Sequence, residues 1–240
     1  MIVLGMTVGA AVASCSKAEG SNSVTLPEPD HIILGCRDLE EGIAYVEKLS
    51  GYRAAIGGAH PGRGTRNALL KLGQKAYLEI LAPDPEQSEL RWQKDLPTLS
   101  EPILVGWAVA VKNIEQYAVH LRDRGVQCIG PTAGSRTTPS GETLDWKTLM
   151  LEDDKKGILP FHVEWGAQSA HPSSTAPGKC VLNRWERHGE LAEDAGAEGG
   201  CRPGGMEGAG EVQLHAYIGG QLGEFELRSR RWRPDRENAG

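Results

Sequence analysis

A repeated order of strands and helices limits what this chain can fold into. Alternating apolar residues indicate strands, and apolar residues three or four apart indicate helices. By these patterns residues 30–82 and 103–166 each contain one strand, one helix and then three strands. In each copy the helix follows a residue that favours the N-cap, Asp38 or Asn113. The sequence therefore predicts two βαβββ modules, joined by a polar, proline-containing linker over 83–102.

The last strand of each module carries a single glutamate among apolar residues. Tyr77–Ile80 reads Tyr-Leu-Glu-Ile, and His162–Trp165 reads His-Val-Glu-Trp, so an alignment of the two stretches places Glu79 opposite Glu164. His162 precedes Glu164 by two residues, which puts both on one face of a strand. A buried carboxylate without a partner is costly. We therefore expect each glutamate to bind a metal ion, to transfer a proton, or to pair with an arginine.

A glycine-rich loop precedes the last two strands of the first module and carries His60, Arg63, Arg66 and Asn67. Arginine offers planar paired donors that suit a carboxylate, a phosphate or a carbonyl-rich substrate. These residues are therefore candidates for substrate binding. The alternative is that Arg66 forms a salt bridge with Glu79 and that the loop only crosses the mouth of a barrel.

The composition narrows the class of partner. The chain of 240 residues has a formal net charge of −6 and no long basic block, which argues against nucleic-acid binding, since phosphate contacts need clustered lysine and arginine. Its five cysteines form no CxxC pair, so neither a zinc knuckle nor a disulfide framework is indicated. No apolar run approaches the length of about 18 residues needed for an ordinary membrane span.

The two ends of the chain stand apart from the modules. Residues 1–24 consist of a short apolar leader, which ends in Val-Ala-Ser-Cys at Cys15, and a polar linker. The leader resembles a lipoprotein signal, which would make this a lipid-anchored envelope protein. No lysine or arginine precedes the apolar run, although signal peptides normally carry one there, so a cytoplasmic protein is the alternative. Residues 167–210 are predicted to be a flexible linker, and 211–240 a β-hairpin and tail.

An ordered set of segments between about residues 29 and 172 resembles the glyoxalase-like domain branch of the vicinal oxygen chelate superfamily. That superfamily includes glyoxalase I, extradiol dioxygenases and bleomycin-binding proteins. The segments that carry the resemblance are Asp30–Ile33, His60–Leu70, Tyr77–Ile80, Pro139–Gly141, Leu144–Trp146, Leu159–Phe161 and Glu164–Gly166. The resemblance implies an α+β fold in which two βαβββ modules pair into a curled, partly open mixed β-barrel with flanking helices. The modules pair within one chain or between the chains of a homodimer.

The resemblance also implies a metal site, because members of the superfamily take ligands from the first and fourth strands of each module. The positions implied here are His31, Glu79, Glu164 and, as an additional candidate on the same strand, His162. The first strand of the second module offers Gly106 or Trp107 at the remaining position, and neither side chain binds a metal. Histidine with carboxylates suits a divalent ion such as Fe, Mn, Zn or Ni.

The predicted function is that of a divalent-metal enzyme of lyase, isomerase or dioxygenase type acting on a small oxygen-rich substrate. The ion would hold two adjacent substrate oxygens as a Lewis acid, and Glu164 would act as the catalytic group that moves protons. The candidate substrate-binding residues are His60, Arg63, Arg66, Asn67 and Trp146. One alternative is a metal-free protein that binds a small molecule or an antibiotic in the same cleft, and another is an envelope lipoprotein that serves assembly.

Overall fold

The computed structural model describes residues 23–91, 93, 95–191 and 211–233. The predictions for Cys15, for most of the leader and for residues 192–210 and 234–240 lie outside the described residues. The strands are β1 (Ser23–Thr25), β2 (His31–Gly35), β3 (Ala55–His60), β4 (Thr65–Lys71), β5 (Tyr77–Pro83), β6 (Ile103–Ala110), β7 (Cys128–Thr137), β8 (Thr143–Leu151), β9 (Phe161–Trp165), β10 (Val181–His188), β11 (Gln213–Gly220) and β12 (Gly223–Arg228). The helices are α1 (Leu39–Ser50), α2 (Ile114–Asp123), α3 (Pro172–Thr175) and a 3-10 turn, Leu96–Thr98.

Both predicted modules are present in one mixed sheet. Its strand order is β3-β4-β5-β2-β6-β9-β8-β7, so the first module supplies one half and the second module the other. The two halves join where β2 pairs antiparallel with β6, while each first strand pairs parallel with the last strand of its own module. The predicted α+β fold is confirmed, and the two modules pair within this chain.

The eight-stranded sheet curls until its two edge strands approach each other. The guanidinium group of Arg136 on β7 donates a hydrogen bond to the backbone oxygen of Gly57 on β3. Gly58 has a φ of +137°, and a Cβ atom there would lie 2.7 Å from the backbone oxygen of Thr137, a space that only glycine leaves open. The result is a half-barrel whose concave side encloses a pocket.

The alternation of side chains along each strand separates the concave face from the convex face. On the convex face, Leu34, Leu78 and Ile80 are fully buried and belong to one core cluster with Ile43 of α1. This cluster continues into a second sheet with the strand order β1-β10-β11-β12. The predicted C-terminal hairpin is formed by β11 and β12 and belongs to this second sheet. Within the described residues, no helix is long and apolar enough to cross a membrane.

Helix α1 begins and ends at residues that cap it, Asp38 and Gly51. The side chain of Asp38 accepts a hydrogen bond from the backbone nitrogen of Glu41 at 3.0 Å, as expected for an N-cap. At the other end Gly51 adopts a φ of 78°, and its N–H donates to the backbone oxygen of Glu47, which is a common way to terminate a helix. The helix packs against β4 and β5 on the convex side of the sheet.

Candidate active site

The concave face contains a small polar pocket with aromatic walls. It is lined by His31, His60, Arg63, Asn67, Tyr77, Glu79, Arg136, Trp146, Thr148, Phe161, Val163 and Trp165. The enclosed part of the cavity has a volume of about 40 Å³, which is room for roughly three or four waters. One side of the pocket is open to solvent. The structure thus brings six sequence-predicted site residues together: His31, His60, Arg63, Asn67, Glu79 and Trp146.

His31 is oriented by the carboxylate of its neighbour Asp30. The ring nitrogen Nδ1 of His31 lies 2.7 Å from Asp30 Oδ1, and its Nε2 lies 3.6 Å from Glu79 Oε2. Hydrogen bonds from His171 and His31 hold the pKa of Asp30 well below its usual range, and they outweigh the opposing effect of burial. Asp30 is therefore ionised and accepts the Nδ1 proton. The other ring nitrogen of His31, Nε2, therefore faces Glu79 in the pocket.

Asn67 links Glu79 to His60. Its amide nitrogen Nδ2 donates to Glu79 Oε1 at 2.7 Å and lies 3.2 Å from His60 Nε2. An amide nitrogen only donates, so His60 Nε2 is the acceptor, and the ring carries its proton on Nδ1, 2.9 Å from the hydroxyl of Thr65. Burial lowers the pKa of His60 to about 4, although the charge of Glu79 opposes this shift. His60 is therefore neutral at pH 7.

Two arginines give the pocket an excess of positive charge. Arg63 donates to the hydroxyl of Thr148 at 3.3 Å, and Arg136 donates to the backbone of Gly57 across the barrel mouth. Burial lowers the pKa of both guanidinium groups, yet arginine remains charged in proteins. The pocket lining contains these two guanidinium groups and a single carboxylate, that of Glu79. The pocket is therefore suited to an anion.

Glu164 and His162 lie on the convex face, away from this pocket, and this corrects the grouping expected from the sequence. Glu164 accepts hydrogen bonds from the backbone nitrogens of Asn113 and Ile114, at 2.8 and 3.1 Å, and so caps α2. His162 Nε2 lies 3.1 Å from the hydroxyl of Tyr117 on α2. Both side chains thus serve the packing of α2 against β9.

The error in the sequence alignment was one of register. When the two modules are aligned at their N-caps, Asp38 and Asn113, Ile33 of β2 corresponds to Ala108 of β6. Ile33 pairs with Glu79, whereas Ala108 pairs with Phe161. The position that corresponds to Glu79 in the second module is therefore Phe161. Glu164 lies three residues beyond it, and an odd offset moves a side chain to the other face of a strand.

Arg66 also lies outside the pocket. It neighbours Asn67 on β4, so it points to the opposite face of the sheet, where its charge acts on the buried thiol of Cys36. Six pocket residues had no predicted role in the site: Tyr77, Arg136, Thr148, Phe161, Val163 and Trp165. Alternation from Glu79 would have found Tyr77, but Arg136 comes from the far edge strand, and its approach depends on the curl of the whole sheet.

The capping role of Glu164 leads to a first prediction. Glu164→Ala should lower the free energy of unfolding by about 1–2 kcal/mol, because two backbone donors at the start of α2 lose their acceptor. Urea unfolding of this variant and of Glu142→Ala, an exposed glutamate on a turn, would measure the difference. Unchanged stability in Glu164→Ala, or a loss of ligand binding at the pocket, would contradict the assignment.

The pocket does not fit the metal site that the sequence resemblance implied. In the part of the chain that the structure describes, no group of three or more His, Cys, Asp or Glu side chains could hold a metal ion. His60 Nε2 lies 3.6 Å from Glu79 Oε1, but Asn67 Nδ2 is within hydrogen-bond distance of both atoms and so engages the lone pair of His60 that a metal ion would need. Only His31 and Glu79 remain, one ligand fewer than the three protein ligands of a typical catalytic zinc site.

Comparisons with known proteins agree with the fold. A family model described as "Glyoxalase-like domain" matches residues 30–194, more than half of the chain. No curated protein matches the chain significantly. One similar solved structure is a hypothetical protein from Staphylococcus aureus, with 21% identity and a TM-score of 0.48; the match covers 61% of this chain and 62% of that protein. The chain thus spans less than two thirds of that protein's length.

Two other similar structures are methylmalonyl-CoA epimerases. The enzyme from Streptomyces coelicolor, in complex with 2-nitronate-propionyl-CoA, has 22% identity and a TM-score of 0.45, with 61% of this chain and 99% of that one covered. The enzyme from Mycobacterium tuberculosis has 20% identity and a TM-score of 0.40, with 57% and 85% covered.

Proposed function

The chain belongs to the glyoxalase-like domain family of the vicinal oxygen chelate superfamily, and we propose that its pocket is the active site of a proton-transfer enzyme for a small carboxylate. The reaction is of isomerase or lyase type and begins with removal of a proton from the carbon next to the carboxylate or a neighbouring carbonyl. The observation that carries this proposal is the 2.7 Å contact between Asp30 and His31 Nδ1, which leaves Nε2 facing the pocket as a base.

Recognition of the carboxylate rests on Arg63 and Arg136. Hydrogen bonds between guanidinium and carboxylate groups are charge-assisted and stronger than neutral ones, and the small cavity favours ligands of a few heavy atoms. The rings of Trp146, Phe161 and Trp165 form the remaining walls. These walls keep water from part of the bound anion, which strengthens its interaction with both arginines.

The chemistry follows from the groups that surround the bound carboxylate. His31 Nε2 takes the proton, and Asp30 stabilises the imidazolium that forms, which is how an oriented histidine acts as a general base. Negative charge then develops on the substrate oxygens, where Arg63 and Arg136 stabilise it. Glu79 lies 3.6 Å from His31 Nε2 and is the second group that can accept or return a proton.

Ligand-induced stabilisation tests the binding step. Acetate, oxalate and malonate should raise the melting temperature of the wild-type protein in a concentration-dependent way, because a ligand that binds only the native state stabilises it. Arg63→Gln should reduce this rise, since loss of a hydrogen bond to a charged group costs about 1.5–3 kcal/mol. Arg37→Gln, at an exposed arginine next to α1, should respond like the wild type. An equal response in all three proteins, or none for any carboxylate, would contradict the proposal.

Metal analysis gives a further prediction. Protein purified without chelators should contain the same small amount of Fe, Mn, Zn and Ni as the variant His31→Ala/Glu79→Ala, because the pocket offers one ligand too few. Elemental analysis of both proteins measures this directly. Near-equimolar metal in the wild type that disappears in the double variant would overturn the metal-free assignment and restore the metal enzyme predicted from the resemblance.

A metal-free binding protein is the second candidate, because Arg63 and Arg136 would bind a carboxylate equally well in a binding protein and in an enzyme. The two functions differ in one result. A small carboxylate that raises the melting temperature but shows no exchange of its C–H protons would indicate sequestration of a ligand, whereas exchange would indicate catalysis.

A further inference from the structure

We propose that His171 is a positioning residue of this site, which acts on His31 through Asp30. The inference rests on the proposed role of His31 as a base and adds a residue from outside both βαβββ modules. His171 lies after the second module and immediately before α3, in a segment that crosses back to the first module. His171 does not itself line the pocket, and its ring nitrogen Nε2 contacts the carboxylate of Asp30 behind His31.

Asp30 is held by donors from three parts of the chain. Its Oδ1 accepts from His31 Nδ1 at 2.7 Å, while its Oδ2 lies 3.0 Å from His171 Nε2 and 3.1 Å from Trp165 Nε1. The two Oδ2 contacts fix the plane of the carboxylate, and the plane determines where Oδ1 meets the His31 ring. His171 thus helps to set the orientation and the tautomer of His31, as outer hydrogen-bond partners do at other histidine sites.

The ionised carboxylate of Asp30 only accepts hydrogen bonds. Because His171 Nε2 lies 3.0 Å from Asp30 Oδ2, this ring nitrogen carries a proton and donates it. Nδ1 of His171 faces Ser173, 3.2 Å from its backbone nitrogen and 2.8 Å from its hydroxyl. The hydroxyl of Ser173 bonds to the backbone oxygen of Gln74 at 3.0 Å, which ties the segment to the loop before β5.

Ring packing supports the same placement. Tyr77 stacks on His31 with centroids 4.7 Å apart and meets His171 edge to face at 5.7 Å. Trp165 meets His171 edge to face at 5.6 Å. The side chain of His171 is 29% exposed, whereas Asp30 is 2% exposed. His171 thus covers the outer side of Asp30 and separates that carboxylate from solvent.

The test is the tautomer of His31, read from long-range ¹H–¹⁵N spectra of the full-length, ¹⁵N-histidine-labelled protein at pH 7. The signals of His31 are assigned by their loss in His31→Gln. In the wild type we expect a single form of His31 with a proton on Nδ1, held by Asp30. In His171→Phe, which keeps the ring but loses the donor, we expect a mixture of Nδ1–H and Nε2–H forms. His171→Gln, whose amide can donate to Asp30, should restore the single form.

Thr175→Ala is the matched control, because it removes a hydroxyl from the same segment that bonds to the backbone oxygen of Pro172 and not to the ring of His171. It should retain the wild-type His31 spectrum. A single Nδ1–H form in His171→Phe, or an equal change in Thr175→Ala, would overturn the proposal. Should His171→Phe fail to fold, a mixed tautomer in folded His171→Gln would overturn it as well. None of these results requires a ligand, so they are independent of whether the pocket binds a carboxylate.

Discussion

Replacement of His31 by glutamine is expected to lower the rate of C–H exchange in bound carboxylates by about 10²–10⁴-fold, the usual contribution of a general base. The wild-type protein should exchange the acidic C–H protons of malonate or pyruvate for deuterium faster than buffer alone does. Glutamine approximates the length of histidine but has no basic nitrogen, so the variant should still bind the carboxylate. Loss of the C–H signals in D₂O, followed by ¹H NMR, measures the rate.

The control for this experiment is His120→Gln, at an exposed histidine of α2. It should exchange at the wild-type rate. Exchange that is equally fast in His31→Gln would assign the base to another group, with Glu79 as the nearest candidate. Exchange that falls equally in both variants would show that the measurement reports something other than the pocket.

The pH dependence of stability should reveal the burial of His60. In the folded chain its pKa is lowered to about 4, whereas an unfolded histidine titrates near 6.5. Between these values the unfolded state binds more protons, so stability falls as the pH falls from about 6.5 to about 4. The difference of about 2.5 pKa units corresponds to a loss of roughly 3 kcal/mol at pH 4. This is a large share of the 5–15 kcal/mol typical of a folded domain.

His60→Gln should remove this part of the acid sensitivity. Urea unfolding at pH 7, 5.5 and 4 should give a free energy of unfolding that falls by about 3 kcal/mol less in the variant than in the wild type. The quantity compared is the change with pH, so a constant cost of the substitution cancels. His162 and His215, whose pKa values burial also lowers, contribute equally to both proteins. The same fall in both would mean that His60 is not held neutral in the folded state.

The half of the site that comes from one module was predictable from sequence because it depends on short-range alternation. His31 and Glu79 lie on strands that pair directly within the first module, and Ile33 opposite Glu79 confirms their shared face. His60 and Asn67 lie on adjacent paired strands of the same module. For these residues the period of two along a strand and the order of the elements were enough.

The other half was missed because it depends on register between modules. The alignment of Glu79 with Glu164 rested on residue type. The strand pairing shows that Phe161 occupies the position in the second module that corresponds to Glu79 in the first. Nothing local in the second module distinguishes a glutamate that caps a helix from one that lines a pocket. The capping role became visible only where Glu164 met the backbone of Asn113 and Ile114.

Contacts made by distant segments could not be predicted from the sequence pattern. Arg136 reaches Gly57 because the sheet curls, and His171 reaches Asp30 because the chain folds back after the second module. Both contacts span many residues. The first depends on the accumulated twist of the sheet, and the second depends on the path of the chain after β9. Arg136 lines the pocket, and His171 contacts the carboxylate that orients His31.

The most direct test of the central claim, a metal-independent carboxylate site on the concave face, is an NMR titration of chelator-treated protein with malonate. The indole N–H signals of Trp146 and Trp165, which line the pocket, should shift and saturate with added malonate and should show weaker binding in Arg63→Gln. Indole signals that do not change, or that change only after a divalent metal is added, would contradict the account.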